Sequence, residues 1–177
     1  LHELAEKNRI YDELEAKHGK QTDRICELLE LCKDADTDEL RAYMKEIMLI
    51  GTYIKRSANL YFLGKEYEML PQQEIRLTFD EAVRALNAGG TECGVAYLIT
   101  RPMRTSEVAR LLELVKDVVG MTRGGLHSLF ISLSDTEMNL SVECEGDLLE
   151  VVSSRVTACM EEGLLLIRTQ IGGEDNG

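Results

Sequence analysis

Tryptophan is absent from the sequence, and prolines number only two among its 177 residues, of which 5% are aromatic. Strands favour aromatic and β-branched residues, so this composition favours a helical or mixed fold over an all-β one. No apolar run approaches the roughly 20 residues that a membrane-spanning helix needs. The first turn is polar and charged, so we expect no signal peptide in this segment. These absences predict a soluble, cytoplasmic segment that makes no membrane contact itself.

Basic residues are also scarce. The chain has 20 Lys and Arg against 32 Asp and Glu, for a formal net charge of −12. A nucleic-acid partner needs a basic surface to neutralise phosphates, so the composition excludes nucleic acid as a partner. The chain begins with Leu1 instead of Met. We therefore expect a fragment whose missing upstream part holds a sensor, which could be membrane-bound.

Residues that hold metals or form disulfides are few and scattered. The five cysteines include no Cys-x-x-Cys pair, and their odd number argues against a disulfide framework. The histidines His2, His18 and His127 lie far apart in the sequence, which is not the spacing of a zinc site. The sequence thus predicts reduced thiols, no metal and no resident cofactor.

The first 69 residues read as two long helices. A seven-residue repeat over Leu4–Cys32 predicts one helix, and a second follows over about Asp38–Lys65 after a cap at Asp36 or Thr37. The repeat in the first helix runs through Leu4, Tyr11, His18, Ile25 and Cys32, with Leu14 and Leu28 as the second seam position. A short link makes the pair an antiparallel hairpin. Each helix buries only one face, so we expect a homodimer that completes a four-helix bundle.

Residues 70–173 have a different pattern, and residues 174–177 are a polar tail that we expect to be disordered. The predicted elements are helix 75–86, strand 93–99, helix 107–122, strands 127–134 and 138–145, helix 147–161 and strand 163–171. Helix 75–86 carries its apolar face on Leu77, Phe79, Val83 and Leu86. This order indicates an α/β sandwich with helices on one sheet face, and the whole chain is of the α+β class.

This layout resembles the transmitter region of a sensor histidine kinase, with a degenerate ATP-binding domain. The stretch NRIYDEL is similar to a phosphoacceptor box that in one subfamily reads Arg-Ile-His-Asp-Glu-Leu, followed by Gly. The matching residues are Arg9, Ile10, Asp12, Glu13 and Leu14. Tyr11 stands in place of the histidine, and Glu15 in place of the glycine.

The resemblance implies a chemical role for the replaced position. The family's histidine attacks the γ-phosphate through a ring nitrogen, and the next acidic residue, here Asp12, orients the ring or accepts its proton. A phenol has no such nitrogen and could form only a stable phosphate ester. Tyr11 therefore predicts loss of histidine autophosphorylation at this site. The plain structural interpretation is that Tyr11 is a seam aromatic of the bundle.

The family's nucleotide site is similarly altered. Asp117 matches an acidic position, but Met121 replaces the Asn that binds magnesium, and a thioether is a poor ligand for a hard cation. Cys144 replaces the Asp that contacts adenine, although the nearby Gly146 remains. A thiol cannot accept a hydrogen bond from the adenine amino group as a carboxylate does. Residues 145–155 leave no room for the nucleotide lid. ATP and Mg²⁺ are thus expected only if the degenerate site still binds them; a plain structural role is the other interpretation of these positions.

The leading hypothesis is a signalling segment of a two-component system that no longer catalyses and relays a conformational change to a response regulator or partner kinase. His18 and Gln21 are polar seam residues that would soften the bundle, and we expect His18 to bond to a neighbour such as Gln21. The alternatives are a divergent kinase that still binds ATP, a relay similar to the sporulation phosphotransferase with His18 as acceptor, and a plain dimerisation module.

Overall fold

The computed structural model describes residues 2–122, 125–145 and 156–172. It has an antiparallel pair of long helices followed by a mixed five-stranded sheet with helices on one face. The predicted α+β class and the N-terminal hairpin are therefore confirmed. Among the described residues, no helix combines the length and apolar character needed to cross a membrane.

The two helices of the hairpin are α1, His2–Leu31, and α2, Thr37–Glu66. Asp36 caps α2, since its Oδ1 accepts from the backbone N–H groups of Asp38 and Glu39, each at 2.9 Å. The Glu39 carboxylate accepts in return from the Asp36 N–H at 3.1 Å, which completes a capping box. Asp36 is thus the cap, of the two candidates that the sequence offered, and the local sequence alone defines where α2 begins.

The contact between α1 and α2 follows the predicted heptad line only in part. Leu28 and His18 are buried and Leu14 is half-buried, but Leu4 and Tyr11 are exposed. A straight α-helix drifts by about 20° per heptad from a perfect seven-residue repeat. The line through Leu4 and Tyr11 therefore turns away from α2 toward the N-terminus of α1. Tyr11 is thus exposed in the single chain, and its position in the seam of a two-chain bundle stays a prediction.

The second part of the chain forms the sheet and two covering helices. Its elements are β1 Met69–Leu70, α3 Gln72–Ala88, β2 Glu92–Leu98, β3 Met103–Arg104, α4 Thr105–Met121, β4 Leu126–Ser134, β5 Glu137–Cys144, β6 Val156–Glu161 and β7 Leu164–Gln170. The sheet order is β2-β4-β5-β7-β6, in which β2 and β4 are parallel and all other neighbours antiparallel. β1 and β3 form a separate two-stranded ribbon that the sequence did not predict.

One predicted helix is corrected. Residues 156–161, assigned to a helix over 147–161, form strand β6, which pairs antiparallel with β7. The turn between the two strands explains the difference, because Glu162 and Gly163 both have positive φ, at 51° and 86°. Tight β-hairpins require positive φ at their central residues. The rest of the predicted helix, residues 147–155, lies outside the described residues.

The apolar core lies between the sheet and the helices α3 and α4. Alternate residues of β4 and β5 point into it, as expected for a sheet covered on one face. Its largest fully buried side chains outside the hairpin are Phe79, Leu70, Ile75, Leu111, Leu129, Ile131, Leu133, Met138, Leu140, Leu165 and Ile167. In α3, Val83 and Leu86 are buried as predicted, whereas Leu77 is exposed.

The hairpin is docked on the helix layer and shares its core. Tyr53 and Leu60 of α2 belong to the same apolar cluster as the side chains of α3 and α4. The guanidinium of Arg56, with a side chain only 7% exposed, donates to the Glu81 carboxylate of α3. Lys55 Nζ lies 3.4 Å from the same carboxylate. The described chain is thus layered as sheet, α3 with α4, and then the hairpin.

Candidate functional site

The phosphoacceptor-like segment lies on α1, and Tyr11 points to solvent with 60% of its surface exposed. Asp12 is exposed beside it. Glu13 accepts a hydrogen bond from the Tyr61 hydroxyl of α2, and its carboxylate lies 3.8 Å from Arg9 Nε. The segment therefore presents a phenol to solvent at the position where a histidine kinase presents its imidazole, and Glu13 ties the segment to α2.

The second hairpin candidate, His18, has a different environment. It is only 4% exposed, and its ring meets the ring of Tyr53 edge-to-face with centroids 5.8 Å apart. Neither His18 ring nitrogen has a hydrogen-bond partner within the described part of the chain, and neither does the buried Gln21 Oε1. The expected hydrogen bond between His18 and Gln21 is therefore wrong. A buried, unpaired imidazole of this kind costs free energy.

The helix α4 closes this region from the side of the sheet. Lys116 Nζ lies 4.9 Å from the Tyr53 ring centroid, in a cation–π arrangement, and 2.9 Å from Asp117 Oδ1. Burial lowers the pKa of His18, and the charges of Lys17 and Lys116 lower it further. Both effects disfavour the charged imidazolium. His18 is accordingly neutral near pH 7 and enclosed by helices.

The described positions that resemble the nucleotide site lie on α4 and at the end of β5. Asp117 pairs with its neighbour Lys116, and Met121 lies one helical turn further on, at the end of α4. Cys144 ends β5, packs against the apolar core, and has a thiol whose pKa is raised by burial. Across the described ranges, no hydrogen bond or ion pair links Cys144 to Asp117 or Met121. Gly146 lies outside the described residues.

Two cavities bear on the question of a bound ligand. A small cavity of about 30 Å³ lies between α2, α3 and α4, against Tyr53, Arg56 and Lys116. A wider concave region of about 510 Å³ lies along β5, β7 and β6, beside Ser141, Cys159 and Arg168. None of Asp117, Met121 and Cys144 lines either cavity. No cluster of metal-ligating side chains occurs in residues 2–122, 125–145 and 156–172.

The sequence did not reveal the residues that enclose His18. The face of α2 that carries Tyr53, Arg56 and Leu60 packs against the sheet layer, and none of these three residues was singled out from the sequence. The sequence signal that could have revealed this face of α2 is the seven-residue spacing of Tyr53 and Leu60, with an arginine between them. Lys116 could not be linked to His18 from the sequence, since 98 positions separate the two residues.

A helical hairpin followed by an α/β layer gives this chain the layout of a histidine-kinase-like transmitter region, as the resemblance in the sequence predicted. No protein-family model matches the sequence. No curated protein matches it either.

Two solved structures are similar to the chain over nearly all of its length. One is a bacterial phosphotransferase, 11% identical, with a TM-score of 0.46 and 91% of each chain covered. The other is the histidine kinase AdeS of Acinetobacter baumannii, also 11% identical, with a TM-score of 0.33, covering 91% of this chain and 98% of that one. At these values the likenesses say nothing about activity.

Proposed function

We propose that this chain is a dimeric, cytoplasmic signalling segment of two-component type that lacks histidine autokinase activity and acts on a response regulator or a partner kinase by changing conformation. The observation that carries the proposal is the pair of positions on α1. Tyr11, at the acceptor position, is exposed but is a phenol, while the hairpin imidazole of His18 is buried. The accessible side chain has the wrong chemistry, and the side chain with the right chemistry is inaccessible.

Access matters because phosphoryl transfer is achieved mainly by positioning. The nucleophile must approach the γ-phosphate in line with the leaving oxygen. His18 meets Tyr53 on one side and lies near Lys116 of α4, so no phosphate can reach its ring nitrogens in this arrangement. Of the other histidines, His2 is the first residue of α1 and His127 is the second residue of β4, so neither occupies the acceptor position.

The side chains at the nucleotide-like positions support the same proposal. Met121 offers a thioether where magnesium needs oxygen, and the Cys144 thiol is packed against the core. The carboxylate of Asp117 is engaged by Lys116 at 2.9 Å. A site with these features has lost both the metal ligand and the adenine acceptor that the family uses.

The dimer is supported by the apolar surface of the hairpin. Leu40, Met44 and Met48 are exposed and follow each other at four-residue intervals on α2, and Leu29 of α1 is exposed near the same end of the hairpin. Residues four apart share one helix face. A second hairpin packed on this face would bury these side chains and complete a four-helix bundle.

The dimer is tested by placing charge on this face. We expect the variant Met44→Glu/Met48→Glu to raise the dimer dissociation constant at least about 100-fold, because burying each Met contributes roughly 1.5–3 kcal/mol. Sedimentation equilibrium of wild type and variant would measure it. Leu98→Glu, which places charge on an exposed leucine of the sheet, is the matched control and should dimerise like wild type. Equal dissociation constants for the hairpin variant and wild type would contradict the proposed dimer.

The loss of autokinase activity is tested by restoring a histidine at the acceptor position, residue 11. Wild type and Tyr11→His, each given labelled ATP with magnesium, should both remain unlabelled because the nucleotide site is degenerate. With phosphoramidate as a small donor, Tyr11→His should gain acid-labile phosphohistidine at residue 11, because that side chain is exposed, whereas wild type should not. Acid-labile label on wild type from ATP would overturn the proposal. Transfer from a phosphorylated response regulator to wild type, abolished in His18→Ala, would instead support the phosphotransferase alternative.

A further inference from the structure

His18 lies at the junction of three helices that belong to different parts of the chain. It is on α1, its ring packs against Tyr53 of α2, and Lys116 of α4 covers that same tyrosine ring. The imidazole is 4% exposed, and neither of its nitrogens has a partner among the described residues. The docked arrangement therefore encloses a polar ring without satisfying it.

The charges around His18 disfavour a second positive charge. Lys17 precedes it on α1, and the charge of Lys116 on α4 also acts on it; α2 contributes the uncharged Tyr53. The carboxylate of Glu113 acts in the opposite direction and has the smallest effect of the groups that act on His18. Lys116 itself binds Asp117 at 2.9 Å, so that acid is already engaged. A protonated His18 would be a buried cation near two lysines.

We propose that His18 is a proton-sensitive latch: α4 docks on the hairpin when the imidazole is neutral, and protonation of His18 releases α4 from the hairpin. Release exposes the imidazolium to water and moves it away from Lys116. The inference does not depend on the loss of autokinase activity. It identifies the interface between the hairpin and the sheet layer as the element that changes state.

The direction of the pH effect follows from linkage. Burial holds the pKa of His18 below its ordinary value of 6.5 in the docked state, so the undocked state binds more protons. Docking is strongest above pH 6.5 and weakens as the pH falls through the lowered pKa. Each pKa unit between the two states is a tenfold change in the docking equilibrium. The ion pair of Arg56 and Glu81 persists through this range, because its arginine holds the pKa of Glu81 below 4.5.

Hydrogen exchange of the backbone amides of α4, corrected for the intrinsic rate, tests the latch at pH 7.5 and pH 5.5. We expect opening of α4 in the wild type to increase several-fold at the lower pH. His18→Leu, which removes both unpaired nitrogens at similar volume, should lose this dependence and keep α4 protected. His127→Leu is the control, because His127 is an exposed histidine next to Glu145, and it should respond to pH like wild type.

Two results of the exchange experiment would overturn the proposal: pH-independent protection of α4 in the wild type, or an unchanged pH response in His18→Leu. A titration of the His18 ring proton by NMR in the wild type gives a readout that needs no variant. We expect a midpoint below 6.5 that coincides with changes in α4 resonances. A midpoint at or above 6.5 would also overturn the latch.

Discussion

Replacing Phe79 by alanine is expected to lower the free energy of unfolding by about 3–5 kcal/mol. Phe79 is on α3, is 0% exposed, and lies in the core between the sheet and the helices. Interiors are packed as densely as organic crystals, so the neighbours cannot close the space that the ring leaves. The variant loses both the transfer free energy of the ring and the contacts of its neighbours.

Urea unfolding followed by circular dichroism would measure this loss, with all proteins at one concentration because any association between chains couples to stability. Leu77→Ala is the matched control, since Leu77 lies two residues earlier on the same helix and is 38% exposed. We expect it to cost less than about 1 kcal/mol. Equal losses in the free energy of unfolding for the two variants would show that α3 does not bury the face that carries Phe79.

Replacing Glu81 by alanine is expected to cost about 3 kcal/mol of stability, because it leaves a buried guanidinium without its carboxylate. Arg56 is 7% exposed and donates to Glu81 across the contact between α2 and α3. The double variant Arg56→Met/Glu81→Met removes the buried charge together with its partner. It should recover most of the loss, because well-packed apolar groups replace a buried ion pair at little cost.

Glu46→Ala is the control for a surface pair between helices. Its carboxylate lies 2.8 Å from Arg24 Nε of α1, but both side chains are more than 40% exposed, at 42% and 43%. Such pairs contribute up to about 1 kcal/mol. If Glu81→Ala costs no more than Glu46→Ala in urea unfolding, the pair of Arg56 and Glu81 does not hold the hairpin on the sheet layer.

The pair of Arg56 and Glu81 makes the stability depend on pH, with a definite sign. The hydrogen bond that Glu81 accepts from Arg56 is the largest effect that lowers the pKa of Glu81 below the ordinary value of 4.5. A lowered pKa means that the unfolded state binds more protons, so this contribution is complete above pH 4.5 and is lost as the pH falls through the native pKa. The slope of stability against pH below 4.5 should therefore be shallower in the double variant than in the wild type.

The features that the sequence predicted well are those encoded by neighbouring residues. The beginning of α2 depends on Asp36 and Glu39, three positions apart, and both helices of the hairpin show their apolar repeat directly. The alternating strands β4 and β5, joined at Asp135 and Thr136, were predicted for the same reason. Local chemistry is sufficient in each case.

The features that it did not predict depend on distant partners. Residues 156–161 have a composition that a helix also accepts, and only pairing with β7 makes them a strand. The surroundings of His18 include Lys116, which no local pattern relates to it. Packing between elements decides each of these outcomes.

The side chain of Asn87, at the end of α3, bonds to both backbone groups of Cys93 on the edge strand β2. Its Nδ2 donates to the Cys93 carbonyl at 3.0 Å, and its Oδ1 accepts from the Cys93 N–H at 2.9 Å. The amide thus occupies the place of a neighbouring strand, and an incoming strand would have to displace it first. Exposed edges template aggregation. At this edge, the Asn87 amide opposes growth of the sheet by addition of a further strand.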